Sequence, residues 1–352
     1  MDAGATSQSG IVMEMENGLV TVIISVYNAE RYLRASLDSI LAQTYSPMAV
    51  FICNDGSTDE SGAILDTYTD SRIRRFYHED NLGCYQSVSK MMAYTRCDYI
   101  AFHDADDISH PDRIRQQVEF LRARPDYDLV GTNYSIINTR GKVVATISTM
   151  MENAELIPDA LMAQNEFQKS TILFRRRVYE RLGGFRDALI PHKNMIGDYD
   201  WILQASELFL LSNINAPEPL YQYRSVPGSM TKSYRSLNQH LAPKMSRFFA
   251  TERRIHFGTD SLMKRDYYTI EQQLEFFKVP YDEDASRFYF ERANYLLQHR
   301  LPWQALPHAF TATVLRPLRR RHWQCLQDVF SMLVLPTGKS AKYYFTSAIW
   351  PR

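Results

Sequence analysis

Tyr99-Ile100-Ala101-Phe102-His103-Asp104-Ala105-Asp106-Asp107 is an apolar run that stops abruptly at three carboxylates. A short apolar stretch of this kind suits a strand buried on both faces of a parallel sheet. Carboxylates packed so closely repel one another unless a cation neutralises them. A hard divalent ion such as Mg²⁺ or Mn²⁺ takes oxygen ligands, usually one or two carboxylates completed by substrate phosphates and water. The plain alternative is a solvated acidic loop or a helix start, where Asp is favoured.

The same pattern of strand, polar stop and helix repeats upstream. Residues 19–26 form a β-branched apolar run ending at Tyr27-Asn28-Ala29-Glu30, after which Leu33, Leu37, Ile40 and Leu41 recur at helical spacing. Residues 49–53 run into Asn54-Asp55-Gly56-Ser57-Thr58-Asp59, and residues 73–77 precede Asn81-Leu82-Gly83 and a helix through Met92. Downstream, Pro111 fits the first turn of a helix through Ile114, Val118 and Leu121. Strands are expected at 129–138, 143–147 and 171–174, and helices near 154–162 and from Asp198. Strands alternating with helices predict an α/β fold, a largely parallel sheet covered on both faces, whose ligand sits at the carboxyl ends of the strands. Every polar stop falls at such an end, so one site built from several loops is expected.

Two further clusters suit parts of one chemistry. The Asp55 carboxylate beside Gly56 and Ser57 can accept the imide N–H of a pyrimidine, the glycine letting the backbone approach a nucleotide; an ordinary strand-to-helix turn explains the same composition. In Asp198-Tyr199-Asp200-Trp201, an Asp opening a helix can serve as general base towards a hydroxyl, being ionised at neutral pH. The alternative is helix capping, with Asp200 and Glu207 solvated.

Composition bounds the rest. The 352 residues are 45% hydrophobic with formal net charge zero, which argues against a nucleic-acid partner. The 22 Tyr and 18 Phe suit carbohydrate contacts as well as a large core. Cys53, Cys84, Cys97 and Cys325 form no Cys-x-x-Cys pair and read as free thiols in a reducing compartment. No signal-like leader and no apolar run of about 20 residues appear, so a cytoplasmic location is expected, with peripheral contact to the inner face of the plasma membrane as an option. Residues 1–17 read as a disordered tail, 18–235 as the α/β domain (donor half 18–110, acceptor half 111–235), and 236–352 as a helical region. In that region residues 293–317 look faintly like one helical-repeat unit. The run Arg316-Pro317-Leu318-Arg319-Arg320-Arg321-His322 beside Trp323 suits an anionic membrane surface, a solvated face or a homo-oligomer contact.

Taken in order, Val22-Ile23-Ile24-Ser25-Val26-Tyr27-Asn28, Asn54-Asp55-Gly56-Ser57-Thr58-Asp59, Asn81-Leu82-Gly83, Asp104-Ala105-Asp106-Asp107 with Pro111, and Gly183-Gly184-Phe185 followed by Asp198-Tyr199-Asp200-Trp201 resemble family 2 glycosyltransferases of the GT-A fold. The likeness covers residues 19–232. It implies a mixed, Rossmann-like sheet and an inverting, Mn²⁺- or Mg²⁺-dependent transfer from a nucleotide-sugar, UDP-linked by preference, to a saccharide or lipid-linked acceptor. Carried onto this chain, Tyr27, Asn28 and Glu30 line the nucleotide pocket, with Asn81 and Gly83 at its edge, and Asp55 with Gly56 holds the base. Asp104 and Ala105 meet the ribose or sugar, Asp106 and Asp107 hold the metal, and Asp198 is the catalytic base.

The chain also departs from the family. Gly197 stands where the family often has Glu, and Val88-Ser89 replaces an Arg-Asn pair, leaving Lys90 or Arg96 as substitute cations. After Tyr223-Arg224, Ser225-Val226-Pro227-Gly228-Ser229 replaces a His-bearing loop, which leaves the third metal ligand unassigned; His103 and His192 read better as structural or surface residues. Two other functions fit less well. A nucleotidyltransferase would carry a Gly-rich, basic phosphate loop where Ser25-Val26-Tyr27-Asn28 stands, and a non-catalytic carbohydrate-binding protein has no need of the full acidic set.

Overall fold

The computed structural model describes residues 18–148, 157–163, 165, 167–186, 197–226, 237–298 and 302–334. His192, the tail at 1–17 and most of the loops at 187–197 and 227–236 lie outside the described residues. Two compact units divide between Leu274 and Glu275.

The strands are β1 (Val20–Val26), β2 (Met48–Asp55), β3 (Ile73–His78), β4 (Tyr99–Asp104), β5 (Ile108–Ser109), β6 (Tyr127–Thr132), β7 (Tyr134–Ile137), β8 (Val143–Ile147), β9 (Leu173–Arg175), β10 (Leu210–Ile214) and β11 (Tyr221–Arg224). The helices of the first unit are α1 (Leu33–Leu41), α2 (Ser61–Asp66), α3 (Cys84–Tyr94), α4 (Arg113–Ala123), α5 (Ile157–Ala163), α6 (Arg176–Leu182), α7 (Asp198–Leu208) and α8 (Leu237–Ile255). Next comes α9 (Tyr267–Asp282), inside which the units divide, then α10 (Ser286–Gln298), α11 (Pro302–Leu315) and α12 (Arg320–Val334).

Seven strands form one sheet in the order β10-β6-β9-β4-β1-β2-β3, parallel except for β9. A second sheet, β5-β11-β7-β8, stands beside it. Strand alternation explains why both faces are covered. Val20, Val22, Ile24 and Val26 point to the side where Leu33, Leu37 and Ile40 of α1 and Ile114, Val118 and Leu121 of α4 pack. Leu19 and Ile23 point to the side of α3, α6 and α7, with Met91, Met92, Val178, Trp201 and Ile202. Each such side chain contributes roughly 1.5–3 kcal/mol by leaving water, so the two faces together outweigh any local propensity.

Three expectations change. The apolar run at 129–138 is two strands, because the Asn133 backbone N–H donates to Ile214 and its side chain to Ala216, carrying the chain from one sheet to the other. The strand expected from Thr171 begins later, since Lys169–Thr171 forms a 3-10 turn. Pro111 precedes α4 rather than opening it, and its carbonyl accepts the Thr44 N–H.

Candidate active site

Register brings the predicted loops to one edge. Ser25 of β1 lies opposite both Cys53 of β2 and Asp104 of β4, and Asp55 lies opposite His78 of β3. Asp55 and Asp104 are therefore two strands apart at the carboxyl ends, on the order of 12 Å.

The loops after β1 and β2 are laced together. Asn28, at φ 49°, accepts the Thr58 N–H on Oδ1 at 2.8 Å, while its own N–H donates to Ser57 Oγ at 3.1 Å. Glu30 accepts the Glu60 N–H at 3.0 Å and donates its own N–H to Asp59 at 3.0 Å. Asn28 and Glu30 thus shape the loops, whereas Tyr27 remains 50% exposed with its ring available to a ligand. Gly56 has φ +68°, and a Cβ there would come within 2.7 Å of the Asn81 nitrogen, so only glycine lets this loop touch the next one.

Asp55 was expected to meet a base directly. It is instead 1% exposed. Its Oδ1 accepts the Leu82 N–H at 3.1 Å and pairs with His78 Nδ1 at 2.9 Å, and its Oδ2 accepts the Gly83 N–H at 2.9 Å. Burial pushes this carboxyl up, but the hydrogen bonds from His78, Ser87 and the two amides outweigh it and hold Asp55 below the usual carboxylate range. The residue anchors the Asn81-Leu82-Gly83 loop, and Gly83, at φ +96°, leads that loop into α3. Asn81 itself is exposed.

The three carboxylates after β4 have separate surroundings. Asp104 Oδ1 accepts from Lys169 Nζ at 2.8 Å and Oδ2 from the Ser170 hydroxyl; against the upward push of burial, these partners hold Asp104 low. Ala105 is buried. Asp106 is pushed up to about 6 by burial and by the Asp104 charge, which is the environment a cation would relieve. Asp107, expected to share the metal, is fully buried; its Oδ1 accepts the Arg224 N–H at 2.6 Å. Burial and the neighbouring Asp106 and Asp104 charges drive it well above the usual range, so Asp107 pins β11 rather than facing solvent.

No three His, Cys, Asp or Glu side chains among the described residues form a ready metal cage. The donor set fits a cation held by Asp106 together with substrate oxygens, as Mg²⁺ commonly is. His103 is no ligand, being buried against Ser36 Oγ at 2.9 Å.

Asp198 opens α7. Its Oδ1 accepts the Tyr85 hydroxyl at 3.3 Å and the Tyr199 N–H at 2.9 Å. Burial raises its pKa, and the Lys169 charge opposes that rise. The glycine at 197 now has a reason: a Cβ there would meet the Tyr85 ring at 2.2 Å. Ser89 is likewise fixed by close approach, with Gly184 against its side chain and the Phe185 N–H donating to its hydroxyl at 2.9 Å. Phe185 then packs on Tyr85, Phe102 and Trp201 at ring separations of 5.2, 5.7 and 5.9 Å, joining α3, β4 and α7.

Of the substitute cations, Arg96 lies past the far end of α3 and bonds the Thr95 carbonyl. Asp200 and Glu207 are not solvated. Arg186 donates to both Asp200 oxygens at 2.9 and 2.7 Å, and Arg253 to both Glu207 oxygens at 2.7 and 2.9 Å.

Three contributors escaped the sequence reading. Tyr85 is an unremarked residue just past a helix start. Lys169 is a lone cation before an apolar strand, a signal open to inspection. Arg224 was seen only as part of a motif, yet it donates to the Asp106 carbonyl at 2.7 Å and stacks 4.6 Å above Tyr32.

Comparison with known proteins gives the family and the fold. The family described as glycosyl transferase family 2 matches residues 21–183. A Bacillus subtilis (strain 168) protein carrying the name glycosyltransferase EpsE is 31% identical over 209 residues, 58% of this chain and 72% of its own. An uncharacterized glycosyltransferase of Haemophilus influenzae is 30% identical over 246 residues, 66% of this chain and 74% of its own. The crystal structure of S. aureus TarS residues 1–349 with UDP-GlcNAc superposes with a TM-score of 0.55 at 15% identity, covering 89% of this chain and 91% of that one. The mixed sheet flanked by helices is thus the GT-A-like fold expected from the motifs, and by sequence the chain belongs to glycosyl transferase family 2: it is a glycosyltransferase.

Proposed function

We propose that the enzyme is an inverting, metal-dependent transferase that moves a sugar from a nucleotide-sugar, a UDP-sugar by preference, to a hydroxyl of a saccharide or lipid-linked acceptor. The observation that carries this is the meeting of Asp198 with the β4 carboxylates. Lys169 Nζ lies 2.8 Å from Asp104 Oδ1 and 3.5 Å from Cys84 Sγ, and the adjoining Tyr85 donates to Asp198 at 3.3 Å, so a base and a β4 carboxylate are held by neighbouring groups. The preference for UDP follows TarS, which shares the fold and was crystallised with UDP and with UDP-GlcNAc.

In the transfer, Asp198 accepts the proton of the acceptor hydroxyl as that oxygen bonds to the anomeric carbon. The bond from the anomeric carbon to the diphosphate oxygen breaks, the electron pair leaving with the diphosphate, and the configuration inverts. Tyr27 offers a ring for the base to stack on, and Asp104 offers its carboxylate to sugar hydroxyls. A divalent cation bound at Asp106 would neutralise charge on the departing diphosphate. Replacing Asp106 by Ala should abolish metal-stimulated release of nucleoside diphosphate. Wild-type turnover that survives exhaustive chelation would remove the metal from the scheme.

The C-terminal unit supports a second, independent proposal about location. Among the described residues no helix is long and apolar enough to cross a membrane. Yet Trp303, Phe310 and Val314 lie exposed along one side of α11, continued by Leu318, and the exposed Arg316, Arg319, Arg320 and Arg321 follow directly. Arg316 and Arg319 pair with Asp284 at 3.4 and 2.9 Å, so it is chiefly Arg320 and Arg321 beside the apolar stripe that complement an anionic bilayer surface, where each basic residue contributes about 1 kcal/mol. The whole protein should co-sediment with phosphatidylglycerol-containing vesicles and not with phosphatidylcholine alone, and the double variant Leu318→Glu, Arg320→Glu should release it. Equal sedimentation of both proteins would refute the contact, and self-association indifferent to lipid would assign the face to a second copy.

A further inference from the structure

Lys169 belongs to no motif that pointed to the site, yet its ammonium sits inside it. The turn that carries it is fixed from below. Arg113 of α4, fully buried, donates to the Ser170 carbonyl at 2.8 Å, and Gln117 donates to the Thr171 carbonyl at 2.7 Å. The side chain thus emerges between the end of β4 and the start of α3, 10% exposed, with Nζ 2.8 Å from Asp104 Oδ1 and 3.5 Å from Cys84 Sγ. Cys84 is followed by Tyr85, whose hydroxyl donates to Asp198. The ammonium and the Asp198 carboxylate are therefore anchored on consecutive residues of one helix start.

We propose that Lys169 is a positioning residue for the transfer reaction, a built-in cation that holds Asp104 in place and keeps the Asp198 carboxylate ionised as general base. The inference rests on the role of Asp198 proposed above. Among the described residues, the groups that face Asp198 are Tyr85 and Cys84 from α3, Asp104 from β4 and Lys169 from its turn. Of these only Lys169 is cationic. Burial and the Asp104 charge both favour the protonated acid, which cannot accept a proton, so without the ammonium nothing among these groups but hydrogen bonds from Tyr85 and the Tyr199 N–H keeps Asp198 charged. A lysine buried beside acids also stays charged itself: burial alone would lower its pKa, but the charges of Asp104, Cys84 and Asp198 and the hydrogen bond to Asp104 together outweigh this and raise it.

The test compares wild type with Lys169→Met and Lys169→Arg. An opposite charge a few ångströms away typically moves a carboxyl by about 1–3 pH units. In Lys169→Met the acid limb of kcat/KM should accordingly move up by about one unit or more, so that kcat measured on that limb falls about tenfold. Lys169→Arg should restore most of both. A ¹³C carboxyl NMR titration, with Asp198→Asn supplying the assignment, reads the same shift without any substrate. It therefore remains decisive even if the donor class proposed above is wrong. An Asp198 titration midpoint unmoved in folded Lys169→Met, judged by an unchanged far-UV CD spectrum, would overturn the proposal. An equal loss of kcat in the Arg and Met variants would also count against it.

Discussion

Asp198→Asn should lower turnover by about 10²–10⁴-fold, the usual contribution of a positioned general base, while donor binding is retained. The amide keeps the hydrogen bonds within reach of Tyr85 and the Tyr199 N–H but cannot take the proton of the acceptor hydroxyl. Steady-state release of nucleoside diphosphate and a separate donor-binding titration check the two halves. Wild-type turnover in the variant would remove Asp198 from the chemistry.

The pH dependence has a definite sign. Burial raises the folded-state pKa of Asp198, so between the ordinary Asp value of about 3.9 and that raised value the folded state holds more protons than the unfolded one. Stability contributed by this group therefore falls as pH rises through that window, and the charged carboxylate is a burden at neutral pH. Asp198→Asn should accordingly melt no lower than wild type there, which separates a lost base from a lost fold. Activity should run the other way, since a general base at Asp198 loses its charge as pH falls through the same raised value.

The largest stability effect is expected behind the site. Arg186, Asp200, Asp260 and Arg253 form a buried ion cluster. Arg186 Nη1 reaches Asp260 at 3.0 and 2.8 Å, Arg253 Nη1 reaches Asp260 Oδ2 at 2.8 Å, and Gln204 donates to Asp200 at 3.0 Å. Asp260 and Asp200 are 0% and 1% exposed. The cluster ties α7, two residues beyond Asp198, to α8. Arg253→Met removes one of its two cations, leaves Asp200 and Asp260 to share Arg186, and takes the Arg253 partner from Glu207. Breaking a buried pair in this way typically costs about 3–5 kcal/mol, because an uncompensated charge stays buried. Urea denaturation should show that loss in the midpoint. A change under about 1 kcal/mol would mean water reaches the cluster.

The carboxyl edge of β1 to β4 was legible because parallel strands advertise themselves: β1, β2, β3 and β4 were each placed within two residues, and their polar stops fall where the sheet ends. What escaped depends on contacts distant in sequence. β10, Leu-Leu-Ser-Asn-Ile, follows α7 after a single residue, and β11 spans only four residues, so neither has room for a periodic signal. Asp55 was readable as a site residue but not as the anchor of the Leu82 and Gly83 amides, since nothing in Asn-Asp-Gly-Ser reveals which donors will fill a carboxylate. Asp107 looked like its neighbour Asp106, yet a one-residue step turned it inward to Arg224, 117 positions away. Gly197 read as a lost carboxylate; the Tyr85 ring against its Cα shows why a side chain has no room there.

The most direct measurement is a thermal-shift titration of the purified protein with UDP-, dTDP- and GDP-sugars, with and without Mn²⁺ or Mg²⁺. A ligand that binds only the folded state adds about 2.7 kcal/mol at a hundred times its Kd. A saturable, cation-dependent rise in melting temperature with a UDP-sugar, absent in Asp106→Ala, is the predicted result. Indifference to every nucleotide-sugar in the presence of either cation would contradict the assignment of this cleft as a donor site.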